Sequence, residues 1–432
     1  MMHLTNPTWV HHEGGAIYSV DIHPTMDKLA TCGQGDVRCG LVIIWNLRPI
    51  QSERAYADTT CHKILARIQH QESRSNSQLC VLLAGVNCVR WSHDGDLLAC
   101  ASDDKVITIY EYGGRVQSAG SIGSKSVVNV EKYRLSHTLH THSMEVLSVE
   151  WSCDGRYLAS ASMDNTVVVW NAKKLPERIV VLDASLKGLS WDPIGKYLAT
   201  QSADKSLRLW TTDNWQCDTV ITKPFISSNI KVDSNGQFLF APCAMNNQGP
   251  TAQIIMRKEW DTELDLVGHR RVSFIRLFFN LIFSSFLVVV TCIAIGSRDK
   301  SLSVWVLPRV KRPIVVLQRL FKHSVTDMSW RGTDLVVSSQ DGSIKYLSFR
   351  EKELGTMLSP QKMVSGSIGL TDLSAYLITE FNLILFLFQL IVPIKVRTSD
   401  GKRRIQPIFL GSTVDEEPAP PPPPPPAHMK SQ

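Results

Sequence analysis

Short runs in which apolar and polar residues alternate recur along most of this 432-residue chain, separated by turn-forming residues, a pattern of half-buried strands rather than helices. The runs share a phrase. It reads Met163-Asp-Asn-Thr-Val-Val-Val-Trp170, then Ala203-Asp-Lys-Ser-Leu-Arg-Leu-Trp210 and Arg298-Asp-Lys-Ser-Leu-Ser-Val-Trp305, with weaker copies at Asp103 to Tyr110 and Gln340 to Leu347. In each, an Asp marks a tight turn, Ser, Thr or Val stands close behind it, and alternating apolar residues end on a bulky one, as expected of a strand leaving a hairpin. Upstream lies a second phrase: Val20-Asp-Ile-His-Pro24, Val89-Arg-Trp-Ser92, Val149-Glu-Trp-Ser152, Leu189-Ser-Trp-Asp192 and Met328-Ser-Trp330. A third connects the two, as in Gly155-Arg-Tyr-Leu-Ala-Ser-Ala-Ser162 and Gly195-Lys-Tyr-Leu-Ala-Thr-Gln-Ser202.

Together the phrases predict a repeating unit of strand, turn, strand, Asp turn and strand. Trp170 and Trp210 lie 40 positions apart, the period of four-stranded propeller blades. Wider gaps, such as Trp45 to Tyr110, predict loop insertions. Closures at Trp45, Tyr110, Trp170, Trp210, Ile255, Trp305 and Leu347 count seven units. The expected fold class is all-β: a seven-bladed WD40 β-propeller over residues 7–350, followed by a largely disordered tail. An antiparallel sandwich would not need the Asp-to-Trp spacing to repeat.

The blade phrases also propose a side-chain network. His142 is placed to pair with Asp164 in a blade closed by Trp170, and His269 with Asp299 in a blade closed by Trp305; Asp204 and Trp210 hold the same positions in blade four. Between Val181 and Gly188 that fourth blade has little room for the Gly-His lead-in seen at Gly268-His269. A catalytic His-Asp dyad is the alternative, but no Ser or Cys stands in a nucleophile elbow, and Gly33-Gln-Gly35 lies in a strand-to-strand turn rather than before a helix. No catalytic residue is proposed, and the protein is expected not to be an enzyme.

Two segments break the pattern. Leu277 to Ile295 is 19 residues without a charge, long enough to span a bilayer if helical. It interrupts the sixth blade, however, so it is read as an apolar insertion foreign to the repeat. Phe381 to Ile394 is similarly apolar over 14 residues and holds Pro393; it falls in a linker assigned to 351–394. Residues 411–432 form a proline-rich tail with seven consecutive prolines, Pro420 to Pro426. Such a run adopts polyproline II and serves as a spacer or as a ligand for aromatic-grooved modules.

Composition adds exclusions. Lys and Arg exceed Asp and Glu by 46 to 40, too even a balance to announce a nucleic-acid or membrane surface. The ten cysteines form no CxxC pair and no zinc spacing. Cys32, Cys88, Cys100 and Cys153 sit in apolar strand-like runs, and they are read as reduced core thiols of an intracellular protein. No metal or cofactor is expected. Met1 to Trp9 is polar, so no secretory leader is expected. Only Lys395 to Phe409 is locally basic, with Lys395, Arg397, Lys402, Arg403 and Arg404 around a turn at Asp400-Gly401 and alternation toward Ile405 and Ile408. An exposed strand of this kind can add to a partner's sheet edge; a solvated charge run or a nuclear-import patch are the plainer readings.

Several of these stretches carry a resemblance: Pro7-Thr-Trp-Val10, Tyr18 to Pro24, Val86 to Trp91, Asp164 to Asn171, Ala244 to Ile255 and Gly296 to Trp305. Over about Pro7 to Phe349 the chain resembles the N-terminal half of the HIRA (Hir) family of histone chaperone subunits, and Val396 to Pro407 is similar to that family's B motif. The resemblance implies a nuclear scaffold without catalysis. It implies replication-independent nucleosome assembly and transcription regulation, with core histones reached directly or through the complex. It implies docking of the anti-silencing-function histone chaperone through residues 395–410, by Lys402, Arg403, Arg404, Ile405 and Pro407, and a ubinuclein-type subunit on the propeller. The family's C-terminal domain is expected to have no counterpart after Ile408. A generic WD-repeat adaptor in ubiquitin ligation or signalling is the competing function. A weak DNA contact, recognisable by steep salt dependence, is a third, and a membrane contact is not expected.

Overall fold

A computed structural model describes residues 2–357 except 13, 36–39, 71–83, 117–128, 185, 203, 205, 223–230, 233–237, 247–248, 257–259, 268, 270–272, 284–287, 308–312 and 355. The linker from 358, the basic segment 395–410 and the tail 411–432 lie outside the described residues.

Among the described residues the strands form antiparallel sheets in chain order, six of four strands and one of five. The third sheet is typical. Its inner strand Val146–Trp151 pairs with Tyr157–Ser162, that with Thr166–Asn171, and that with the outermost strand Arg178–Asp183. Hydrophobic clusters then join each sheet to the next. Ala30, Cys32 and Ile44 of the first sheet pack with Val89, Trp91 and Leu98 of the second, while Val336, Ile344 and Tyr346 of the last pack with Ile17, Leu29 and Trp45 of the first. The protein is therefore an all-β β-propeller. Its ring is closed by the N-terminal strand His3–Thr5, which pairs with Ile344–Ser348 in the sheet formed otherwise by the chain's later strands.

The repeated phrases have a direct physical cause. In the Asp turn, the carboxylate accepts the backbone N–H two residues on, as Asp164 Oδ1 does from Thr166 at 3.0 Å and Asp341 Oδ1 from Ser343 at 3.0 Å, an Asx turn. The residue between takes a left-handed conformation, filled by Lys105, Asn165, Lys300 or Gly342. A register shift then precedes the bulky closing residue, at Ile44/Trp45, Ile109/Tyr110, Val169/Trp170, Leu209/Trp210 and Ile254/Ile255, so the faint fifth unit shares the bulge of the strong ones. The Gly turn is equally constrained at Gly95. Its φ is +85°, and an added Cβ would come within 2.3 Å of the His23 ring, which accepts the N–H of Met26 at Nδ1 and lies 3.0 Å from the Gly95 carbonyl at Nε2.

Two expectations are corrected. The apolar run Leu277 to Ile295 is not a single foreign insert: Cys292, Ile293, Ala294 and Ile295 are buried core residues of the sixth sheet's second strand, Val288–Ser297. Up to Leu277↔Ile293 the pairing follows the ordinary blade register. Beyond a bulge, Asn280↔Thr291 to Phe283↔Val288 extends the hairpin, and Thr356–Met357 adds a fifth strand against Leu281 and Ile282. The described residues of the run are strand, and among the described residues no helix is long and apolar enough to cross a membrane. Cys153, expected in the core, is exposed in a hairpin turn, whereas Cys32, Cys88 and Cys100 are buried as expected.

Candidate functional site

The third blade assembles four expected and unexpected partners into one relay. Trp170 Nε1–H donates to Ser160 Oγ at 3.0 Å, Ser160 lies 2.9 Å from His142 Nε2, and His142 Nδ1 lies 3.1 Å from Asp164 Oδ2. A carboxylate only accepts, so Nδ1 carries the proton and Nε2 accepts from the hydroxyl. Burial lowers the His142 pKa against the opposing pull of Asp164, which keeps the ring neutral. Asp164 is fixed from the other side by the Thr166 hydroxyl at 2.6 Å and the Ser143 N–H at 2.8 Å.

Asp, His and Ser in this order have the composition of a hydrolase triad. The chemistry does not follow, because Ser160 is fully buried and its oxygen already accepts from Trp170, leaving a substrate carbonyl no approach. What the arrangement can do is satisfy every polar group between the blade's strands and thereby hold the Asp turn.

The other blades vary the theme. In the sixth, His269 lies 2.9 Å from Ser301 Oγ and 2.8 Å from Ser303 Oγ, Trp305 donates to Ser303 at 2.9 Å, and Asp299 is 3.6 Å from His269. Here Ile295 occupies the place of Ser160, and the hydroxyl comes from its cross-strand partner Ser303. In the fourth, Trp210 donates to Thr200 at 2.9 Å, but among the described residues Asp204 meets no histidine. It caps Ser206 and pairs with Arg208 at 3.0 Å while its side chain is 46% exposed. Asp204 therefore joins a surface pair rather than the buried relay, as the missing Gly-His lead-in foreshadows.

The first blade holds a relay that the phrase search does not find. His12 Nε2 lies 2.8 Å from Thr31 Oγ1, which accepts from Trp45 at 2.8 Å. Hydroxyl and indole stand 10 residues apart in blades three and four but 14 apart here, because the turn between them is longer. Burial holds the His12 pKa down to about 3.

A second unforeseen cluster crosses the seam where the last blade meets the first. Asp327 Oδ2 of the last inner strand accepts the Ser19 hydroxyl at 2.7 Å and pairs with Arg90 of the second blade at 2.9 Å, while Arg90 also donates to Ser19 at 2.7 Å. Asp21 bridges the same strands, accepting from Trp91 N and from Ser329 Oγ, each at 2.9 Å. Farther round, Trp151 donates to the Arg90 carbonyl at 3.1 Å and Trp191 to the Glu150 carbonyl at 2.9 Å, so each indole clamps the preceding inner strand. Among the described residues no cluster of His, Cys, Asp and Glu has the makings of a metal site. The expected docking residues Lys402, Arg403, Arg404, Ile405 and Pro407 lie outside the described residues.

Comparison with known proteins adds two matches at different places in the chain. Residues 2–240 match the CAF1B/HIR1 β-propeller domain, and residues 394–413 match the HIRA B motif. Protein HIRA of Caenorhabditis elegans is 40% identical over 379 residues, covering 84% of this chain and 39% of the relative. The Homo sapiens and Xenopus laevis proteins of that name are each 43% identical over 383 residues, covering 84% of this chain and 36% of theirs. The chain thus spans well under half the length of these curated relatives.

Proposed function

Because the chain belongs to the HIRA family, within the CAF1B/HIR1 β-propeller proteins, we propose that it is a non-enzymatic scaffold subunit of a nuclear histone chaperone complex. In this reading it serves replication-independent nucleosome assembly and transcription regulation. In this reading the ring has seven blades, the five-stranded sheet among the described residues counting as the sixth with one strand added. Its faces and rim bind protein partners, a ubinuclein-type subunit among them, and hold them near core histones. Residues 395–410 dock the anti-silencing-function histone chaperone by adding a strand to its sheet, with Ile405 in an apolar pocket and Arg403 and Arg404 meeting carboxylates at the rim.

The observation that carries this reading is the pairing, in one chain and in order, of a propeller match with a B-motif match; a generic adaptor propeller has no reason to carry the second. The saturated hydroxyls of the blade relays support a structural rather than catalytic use of His142 and His269. The test is a pull-down from nuclear extract with the tagged full chain, probed for core histones and for the anti-silencing chaperone. Recovery of both is expected. Recovery of neither contradicts the proposal.

A further inference from the structure

The first blade departs from the short connections that blades three and four make between Asn171 and Arg178 and between Thr211 and Cys217. Between the strand Gly40–Asn46 and the outermost strand Ile64–His70 the chain forms two short helices, α1 (Arg48–Gln51) and α2 (Glu53–Ala57). In α1, Pro49 and Ile50 are buried and anchor the insertion, whereas α2 buries none of its residues. Its Tyr56 is 46% exposed and stacks on Trp9, with ring centroids 6.3 Å apart and planes inclined by 29°. Trp9 is braced edge-on by buried Trp45 at 5.8 Å, so one wall of this surface pair is fixed by the core.

A cation already sits there. Lys63 Nζ lies 3.6 Å from the Tyr56 ring centroid and 5.6 Å from that of Trp9. Its backbone is held by the Asn46 N–H at 2.9 Å, but among the described residues no carboxylate pairs with its ammonium. Lys28 provides the contrast. It too lies over two rings, Tyr112 at 4.0 Å and Tyr133 at 5.7 Å, yet it is buried and tied to Glu131 at 2.8 Å. The Lys28 cation is part of the fold, while the Lys63 cation is held at the surface by ring faces alone, an arrangement that another cation can enter.

We propose that Trp9 and Tyr56 form a receptor for an alkylammonium side chain of a protein partner, a lysine in an extended peptide, and that Lys63 is its displaceable occupant in cis. Ring quadrupoles attract a cation without a directional bond, so N-methylation, which spreads the charge and eases desolvation, favours the incoming lysine over Lys63. Insertions on a repeat fold commonly carry its binding functions, and this one presents an aromatic that the blade does not need.

The test titrates the full chain, by calorimetry, with capped trimethyl-lysine, capped lysine and the neutral tert-butyl isostere of the former. The cationic probes are expected to bind saturably, the trimethylated one more tightly, and the neutral isostere not to bind. Tyr56→Ala abolishes binding and Tyr56→Phe retains it, with unchanged melting temperatures because the side chain is exposed. Lys63→Met removes the competitor and tightens binding about two- to fivefold. Equal binding of the neutral isostere, binding retained by Tyr56→Ala, or no tightening and no saturable binding in Lys63→Met would each overturn the proposal.

Discussion

Arg90 and Asp327 lie 237 positions apart in sequence, yet their charged groups meet at 2.9 Å across the seam of the ring, with the Ser19 hydroxyl bonded to both. The pair is largely buried, so its two members are not independent: removing one leaves the other charged and desolvated. Asp327→Ala is expected to cost about 3–5 kcal/mol in urea unfolding. Adding Arg90→Met to it restores part of that loss, a coupling that a double-mutant cycle reads directly. A single variant as stable as the parent would show that the seam is held by other contacts.

The blade relays predict an asymmetry between two aspartates that share a sequence phrase. Asp164→Ala removes the acceptor of His142, Ser143 and Thr166 and should cost about 1–3 kcal/mol. Asp204→Ala breaks an exposed pair with Arg208 and should cost under about 1 kcal/mol. Thermal melts of the two variants decide; equal losses would contradict the assignment of Asp204 to a surface pair.

Stability should also fall with pH in a defined window. Burial holds the pKa of His12 to about 3 and that of His23 to about 4, while the unfolded residues take up protons near pH 6.5. Between these values the unfolded chain binds more protons than the folded one, so stability is full above about pH 6.5 and declines below it, by up to about 1.4 kcal/mol per pH unit for each histidine. Urea unfolding at pH 7.5, 6 and 5 measures the slope, and His23→Gln should flatten it. An unchanged slope in that variant would mean that His23 is protonated in the folded protein.

The repeat was legible because Asx turns and closing indoles are local chemistry, written within eight residues, and they place Trp170, Trp210 and Trp305 in equivalent strands. His142 with Asp164 and His269 near Asp299 were legible for the same reason. The His12–Thr31–Trp45 relay was not, since a longer turn shifts its spacing. Arg90 and Asp327 were beyond reach because ring closure brings them together, and nothing local to either residue encodes the other. The apolar run at Leu277 misled in its extent: a fully buried strand, Cys292 to Ile295 in its case, reads as continuously apolar and cannot be separated by composition from an adjoining extension.

The proposed tethering of a second histone chaperone by the basic segment is tested by one calorimetric titration: the full chain against the purified anti-silencing-function chaperone, beside the Ile405→Asp and Arg404→Ala variants at two salt concentrations. Ile405→Asp should abolish binding, because a carboxylate forced into an apolar pocket costs several kcal/mol. Arg404→Ala should weaken it less and lose its effect as salt screens the rim. If the Ile405→Asp chain binds as tightly as the parent, strand docking through residues 395–410 is contradicted.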